Sequence, residues 1–152
     1  MLNMQGWQKM TIIDKVCEGI TQKIADAEID GMTAIPVVDY APELDFAKVK
    51  TQTIIVSPTA LTRSNLNRGL TGNTAKVSVF FAERIDPAMA KDKLIIMEQI
   101  TKVLQRQRLE HNGYSFATIV ETQIEPLYAA ELLQNNRVYF SVIQATVKVL
   151  AD

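Results

Sequence analysis

Residues 74–85, TAKVSVFFAERI, set Val77, Val79 and Phe81 on one side of an extended chain and Lys76, Ser78 and Phe80 on the other. Successive side chains of a strand point to opposite faces, so this period of two excludes a helix and calls for a sheet with two differently covered faces. The closing run, VYFSVIQATVKVL, adds a gradient along its length. In its first half both sides are apolar, with Val138, Phe140 and Val142 against Tyr139 and Ile143; in its second half Gln144, Thr146 and Lys148 leave only Ala145, Val147 and Val149 apolar. One end of this strand is expected to be covered on both faces and the other end on one.

Two amphipathic segments can supply that cover. TIIDKVCEGITQKIADAEIDG places Ile13, Val16, Cys17, Ile20, Ile24 and Ala27 at helical spacing, with Asp14, Lys15, Glu18 and Lys23 turned away, and stops before Gly31. A second helix begins near Pro87 and is expected to run through AMAKDKLIIMEQITKVLQRQRLEHNG with Met97, Ile100, Val103 and Leu104 as its stripe and Gly113 as its stop. Between them, MTAIPVVDY, interrupted by Pro36, suits an edge strand or extended arm, and KVKTQTIIVSP reads as a strand ending at Pro58. YSFATIVETQIEP alternates again, and LYAAELLQNNR is a short helical or looped piece. The expected fold class is α+β: a mainly antiparallel, mixed sheet of four to five strands with two helices packed on one face.

A chain of 152 residues, 47% hydrophobic, suits one domain, expected to span residues 11–152 after an N-terminal arm at 1–10 that contains Trp7. Sixteen basic against seventeen acidic side chains give a net charge of −1, without the basic excess of a free nucleic-acid binder. The opening MLNMQGWQKM has neither a basic n-region nor an apolar h-region, and no later apolar run approaches membrane-spanning length, so a cytosolic product with no membrane partner is expected. Cys17 is the only cysteine; on the apolar stripe of a helix it reads as a buried small hydrophobe.

Residue types for catalysis are scarce. His111, the only histidine, falls in RLEHNG at the expected end of the second helix, with no partner pattern for general acid–base work. Asp39, Glu43 and Asp45 in DYAPELD could approach a hard cation, but acidic residues in a proline-containing connector are ordinarily solvated. Nucleophile elbows, phosphate-binding glycine loops and zinc spacings do not occur. No catalytic, metal or cofactor site is assigned, and a non-enzymatic protein is expected. Phe80, on the Lys76 and Ser78 side of its strand, marks apolar surface beyond what two helices can cover, as a partner surface would.

Residues 57–74, SPTALTRSNLNRGLTGNT, are expected to form a long polar loop, well above the ordinary connection length of about 4–6 residues. Its hydrogen-bonding content and its two arginines suggest a contact arm, with Arg63, Asn65, Asn67 and Arg68 as the interface residues. The whole order of elements, from the first helix through AIPVV, the strand ending VSP, the Arg-containing loop, KVSVFFAER, the KDKLIIMEQITKVLQ helix and the final VYFSVIQATVKV, resembles the tail terminator and tail completion proteins of long-tailed bacteriophages.

That resemblance, from about Thr11 onward, implies a virion protein of the tail or neck, assembled in the host cytoplasm. It would form a ring, typically a hexamer, on the tail tube protein, end tube growth and offer a surface to a head–tail connector or stopper protein, with DNA only passing through the channel. Size is compatible: a domain of this length is about 38 Å across, and six in a ring leave a hole of about one subunit's width, enough for a duplex. Two other readings stay open on the residues themselves. One is another neck, connector or tube component; the other is a small-ligand-binding α+β regulatory domain.

Overall fold

The computed structural model of the chain describes residues 10–65 and 71–149. Among them the order is α1 (Ile12–Asp26), β1 (Val37–Val38), β2 (Thr53–Asn65), β3 (Thr71–Arg84), a 3-10 turn (Pro87–Met89), α2 (Ala90–Leu104), β4 (Arg108–His111), β5 (Tyr114–Ile124), α3 (Ala130–Asn136) and β6 (Val138–Val149). The class is α+β, with one six-stranded sheet in the order β1-β2-β3-β6-β5-β4. Only the β1–β2 pair is parallel; the rest are antiparallel.

The two alternating runs of the sequence lie side by side at the centre. β3 and β6 pair in unbroken register from Asn73 opposite Val149 to Arg84 opposite Val138. That register sets Val77 opposite Ala145, Val79 opposite Ile143 and Phe81 opposite Ser141, with Tyr139 diagonally against the Phe81 ring, on one face, where Ile54 and Val56 of β2 and Ala117 and Ile119 of β5 join them in one buried cluster. Both long helices cover this face, α1 through Val16, Cys17, Ile20 and Ile24 and α2 through Ile96, Met97, Ile100 and Leu104.

α1 starts where its sequence says it should. The Thr11 hydroxyl accepts from the Asp14 amide at 3.1 Å, and the Asp14 carboxylate accepts from the Thr11 amide at 2.9 Å, a reciprocal cap that satisfies two otherwise orphaned donors. Gly19 lets β4 approach: a Cβ there would lie 3.3 Å from the Leu109 side chain.

Half of the opposite face is covered too. Val49, Ala82 and Val138 form a second buried cluster with Phe46 and Phe140 against it, laid down by the segment between β1 and β2. Arg84 holds that segment. Its Nε donates to the Val49 carbonyl at 2.9 Å, one terminal nitrogen to the Asn136 carbonyl at 2.8 Å, and the other to the Phe46 and Ala47 carbonyls at 3.4 and 3.2 Å. One guanidinium thus ties the covering strap to the C-terminal end of α3. Nearby, Gln52 accepts from the Thr33 and Ala34 amides, donates to the Gly31 carbonyl and to Glu83, and Glu83 pairs with Lys93 at 3.1 Å, joining the α1–β1 linker to β3 and α2.

The structure corrects the sequence reading in several places. Among the described residues there are six strands rather than four or five, and α3 is a third helix beside the expected two. The second helix ends at Leu104, not at Gly113; Arg106 takes a left-handed conformation (φ 59°), and residues 108–111 turn into β4. Asn112 (φ 53°) and Gly113 (φ 83°) form the tight turn to β5. An Asn-Gly pair suits that twist, so the dipeptide read as a helix stop is a hairpin turn. β2 does not end at Pro58 but passes through it at a bulge between Pro58 and Ala60, where a missing N–H is tolerated.

Two outcomes follow. Burial pushes the Cys17 thiol up to about 12, with Asp14 and Glu18 adding to the rise. A thiol-reactive probe at pH 8 should therefore leave native protein unlabelled and react only as the chain unfolds; rapid native labelling would contradict this packing. Replacing Arg84 by alanine should cost about 2–3 kcal/mol by stranding its carbonyl acceptors, a fall in Tm of about 4–12 °C. Thermal unfolding of R84A against R84K, which keeps charge but loses the fork, reads the contribution of the geometry.

Candidate assembly surfaces

The groups with chemical potential do not converge. Among the described residues no cluster of three or more His, Cys, Asp or Glu side chains is placed to hold a metal ion. Asp39 accepts from the Ala41 amide at 3.0 Å and Asp45 from the Ala47 amide at 3.1 Å, so these carboxylates stabilise turns of the strap. His111 lies at the end of β4 rather than on a helix terminus. Tyr139, whose hydroxyl donates to the Leu127 carbonyl at 3.0 Å, is pushed up to about 12 by burial, partly opposed by its hydrogen bond with Ser141.

The segment expected to be a loop is mostly sheet. β2 continues to Asn65 and β3 begins at Thr71, so residues 57–65 and 71–74 are paired strand. Ala60 stands opposite Lys76, Leu61 opposite Ala75, Thr62 opposite Thr74 and Arg63 opposite Asn73. Threonines suit this pleated setting, which polarity alone concealed. The pairs Ser64–Gly72 and Asn65–Thr71 extend beyond Asn73–Val149, the last rung that β3 shares with β6. Of the four interface residues expected from the sequence, Arg63 sits on this hairpin on the face that carries Leu61 and Ala75, and Asn65 pairs with Thr71. Asn67 and Arg68 lie outside the described residues.

Both ends of the sheet have open strand edges. β1 pairs only with Ile55 and Val56, and the Asp39 amide donates to the Val56 carbonyl, so among the described residues the outer edge of β2 from Ser57 to Asn65 faces no further strand. At the other end β4 pairs with β5 only as far as Thr118; after the Ile119 amide donates to the Gln107 carbonyl, residues 120–124 of β5 have no outer partner strand. Apolar side chains are exposed at each end. Ile35 is 82% exposed, with Val37 and Tyr40 beside it in sequence, on the β1 side; Tyr114 at 78% and Val120 at 47% mark the β5 side. Val120 faces out by alternation from the buried Ile119, and the bulge between Ile119 and Glu121 then turns Thr122 and Ile124, rather than Glu121 and Gln123, toward Ala145 and Ile143. The edge position of β1 agrees with the proline-interrupted AIPVV, whereas the open edge of β5 was not legible from residue types, because it is defined by which strand is missing beside it.

No protein-family model matches the chain, and no curated protein matches it in sequence. Among solved structures, the chain is similar to one from the virion of a native gene transfer agent particle, with 9% identity, a TM-score of 0.52, and 93% of this chain and 98% of that one covered. A sheath/tube terminator from an extracellular contractile injection system, in its extended state, aligns at 19% identity with a TM-score of 0.49, over 95% of this chain and 58% of that one. The first likeness is one of fold; the second is too loose to add to it.

A charge placed on an open edge should act on association and not on folding. Val120→Lys is expected to leave the Tm within about 1 °C of the parent, in line with surface substitutions worth less than about 0.5 kcal/mol. A large fall in Tm would mean that Val120 packs within the subunit after all.

Proposed function

We propose that this chain is a non-enzymatic tail-assembly subunit of a virion or virion-like particle. It closes into a ring, hexameric as the resemblance implies and as the subunit's size allows, on the end of a tail tube, stops tube growth there and presents the surface that joins the head. The observation that carries this reading is the pair of unlike open edges at opposite ends of one sheet. Contact between two different patches is heterologous, and heterologous contact propagates head to tail, giving a ring when the rotation between neighbours closes and an open filament when it does not. The apolar residues at each edge supply buried area, and the open strand edges supply unpaired backbone donors and acceptors. A fold shared with a gene transfer agent virion chain over nearly the full length of both supports the same class of role. In this reading the β2–β3 hairpin, with Arg63 and Asn65 on it and Asn67 and Arg68 between its strands in sequence, is the arm that reaches the tube or the next subunit.

Negative-stain imaging of the protein with tail tubes from its own source tests the reading directly. Capped tube ends or hollow rings are expected; bare ends beside a compact, unassembled protein would overturn it. Heterologous closure has a sharper signature. Ile35→Lys and Val120→Lys should each abolish rings when alone, whereas an equimolar mixture should give a one-to-one heterodimer, because each variant keeps the edge that the other lacks. Rings formed by either variant alone would remove the edges from the interface. Replacing residues 65–71, which lie between the paired Ser64 and Gly72, by a two-residue Asn-Gly turn should keep the register, spare the fold and lose tube binding, read by co-sedimentation with tubes.

A further inference from the structure

The half of the outer sheet face that the strap leaves bare has a composition of its own. Cross-strand register places Thr62, Thr74, Lys148, Thr118 and Arg108 in one row across five strands. The next row holds Ala60, Lys76, Thr146 and Glu121, and the one after it Ser57, Ser78, Gln144 and Gln123. Arg108, Lys76 and Lys148 are exposed, and among the described residues none of them makes an ion pair. These rows therefore carry three cations against one carboxylate, Glu121, in a chain whose net charge is −1; Glu125, bonded to Gln123, lies at the far end of the face.

From strand spacing and rise, Lys76 and Lys148 stand about 8 Å apart and Lys148 and Arg108 about 10 Å apart. Ser57 and Ser78 of the third row are buried, with Ser78 donating to Gln144, but all three cations lie among the threonine hydroxyls of the first two rows. That is the chemistry that meets phosphate oxygens, which take hydrogen bonds from Arg, Lys, Ser, Thr and Gln alike without reading sequence. Protein partners are anchored by aromatic and large apolar side chains, and these three rows have none.

We propose that this bare half-face is a weak, sequence-independent contact surface for the sugar–phosphate backbone of duplex DNA. The inference rests on the ring reading for its setting, where copies of the face would be arrayed around a passing duplex, but the contact belongs to the single subunit. Three phosphate contacts give affinity that ordinary salt nearly abolishes, so DNA is guided rather than held.

The test is fluorescence anisotropy of a labelled 20-base-pair duplex titrated with the full chain from 25 to 150 mM salt. Binding is expected at low salt, falling with a slope near −2.7 in log K against log salt, as three neutralised phosphates require. The triple variant Lys76→Gln, Arg108→Gln, Lys148→Gln should lose at least tenfold in affinity. A control carrying the same charge change elsewhere, Lys50→Gln, Lys91→Gln, Lys102→Gln, should keep most of it. Equal losses in both variants would reduce the effect to net charge and overturn the proposal, as would no binding by the parent at 25 mM salt. Polyglutamate of matched charge competing as well as unlabelled duplex would assign the face to an acidic protein and overturn it too. Sedimentation of parent and triple variant separates the two readings, since failure of ring assembly in the parent counts against the ring whatever the DNA result.

Discussion

The unbroken pairing of β3 with β6 is the constraint on which the rest depends. It joins residues 73–84 to residues 138–149, and its register decides which side chains face the helices. A slip of one residue would turn Val77, Val79 and Phe81 away from Ala145 and Ile143 and destroy both faces at once. Everything else is hung on this pair: β2 and β5 flank it, α1 and α2 cover one side, and the strap covers half of the other.

That half-cover is what gives the subunit its distinct surfaces. Where Val138, Phe140 and Ala82 line the outer face, the chain must shield them, and Arg84 fixes the shield by binding main-chain carbonyls, which any sequence could present. Where Gln144, Thr146 and Lys148 line it, no shield is needed and the face remains available. The two open edges arise for a related reason: β1 is two residues long and β4 four, too short to close strands of thirteen and eleven. A lone subunit with such edges is poorly protected against further pairing, and the proposed ring would give each edge a partner.

Much of the fold could be read from residue order. The alternation of β3, the graded polarity of β6, the core stripes of both long helices and the edge character of AIPVV all reappear in the structure, because each depends on local periodicity and on burial of one face. The errors share a different cause. The hairpin arms read as a loop in the sequence because Thr, Ser and Asn look like turn residues, although opposite a central strand they are good sheet residues. Gly113 reads as a helix stop because a glycine ends helices as readily as it turns hairpins. The third helix is short, and its burial turns on Leu133 meeting a core assembled from distant elements.

The sequence by itself determined the class of the protein: an α+β sheet with one fully covered face and a second face apolar at one end only. These follow from side-chain period and polarity, which need no partner to be defined. Only the tertiary structure decided the strand order, the extension of the hairpin, the two unlike open edges and the row that brings Lys148 and Arg108 together with Lys76 beside it. Those properties are set by hydrogen-bond register between segments far apart in the chain, and register is a relation between strands that no single strand carries.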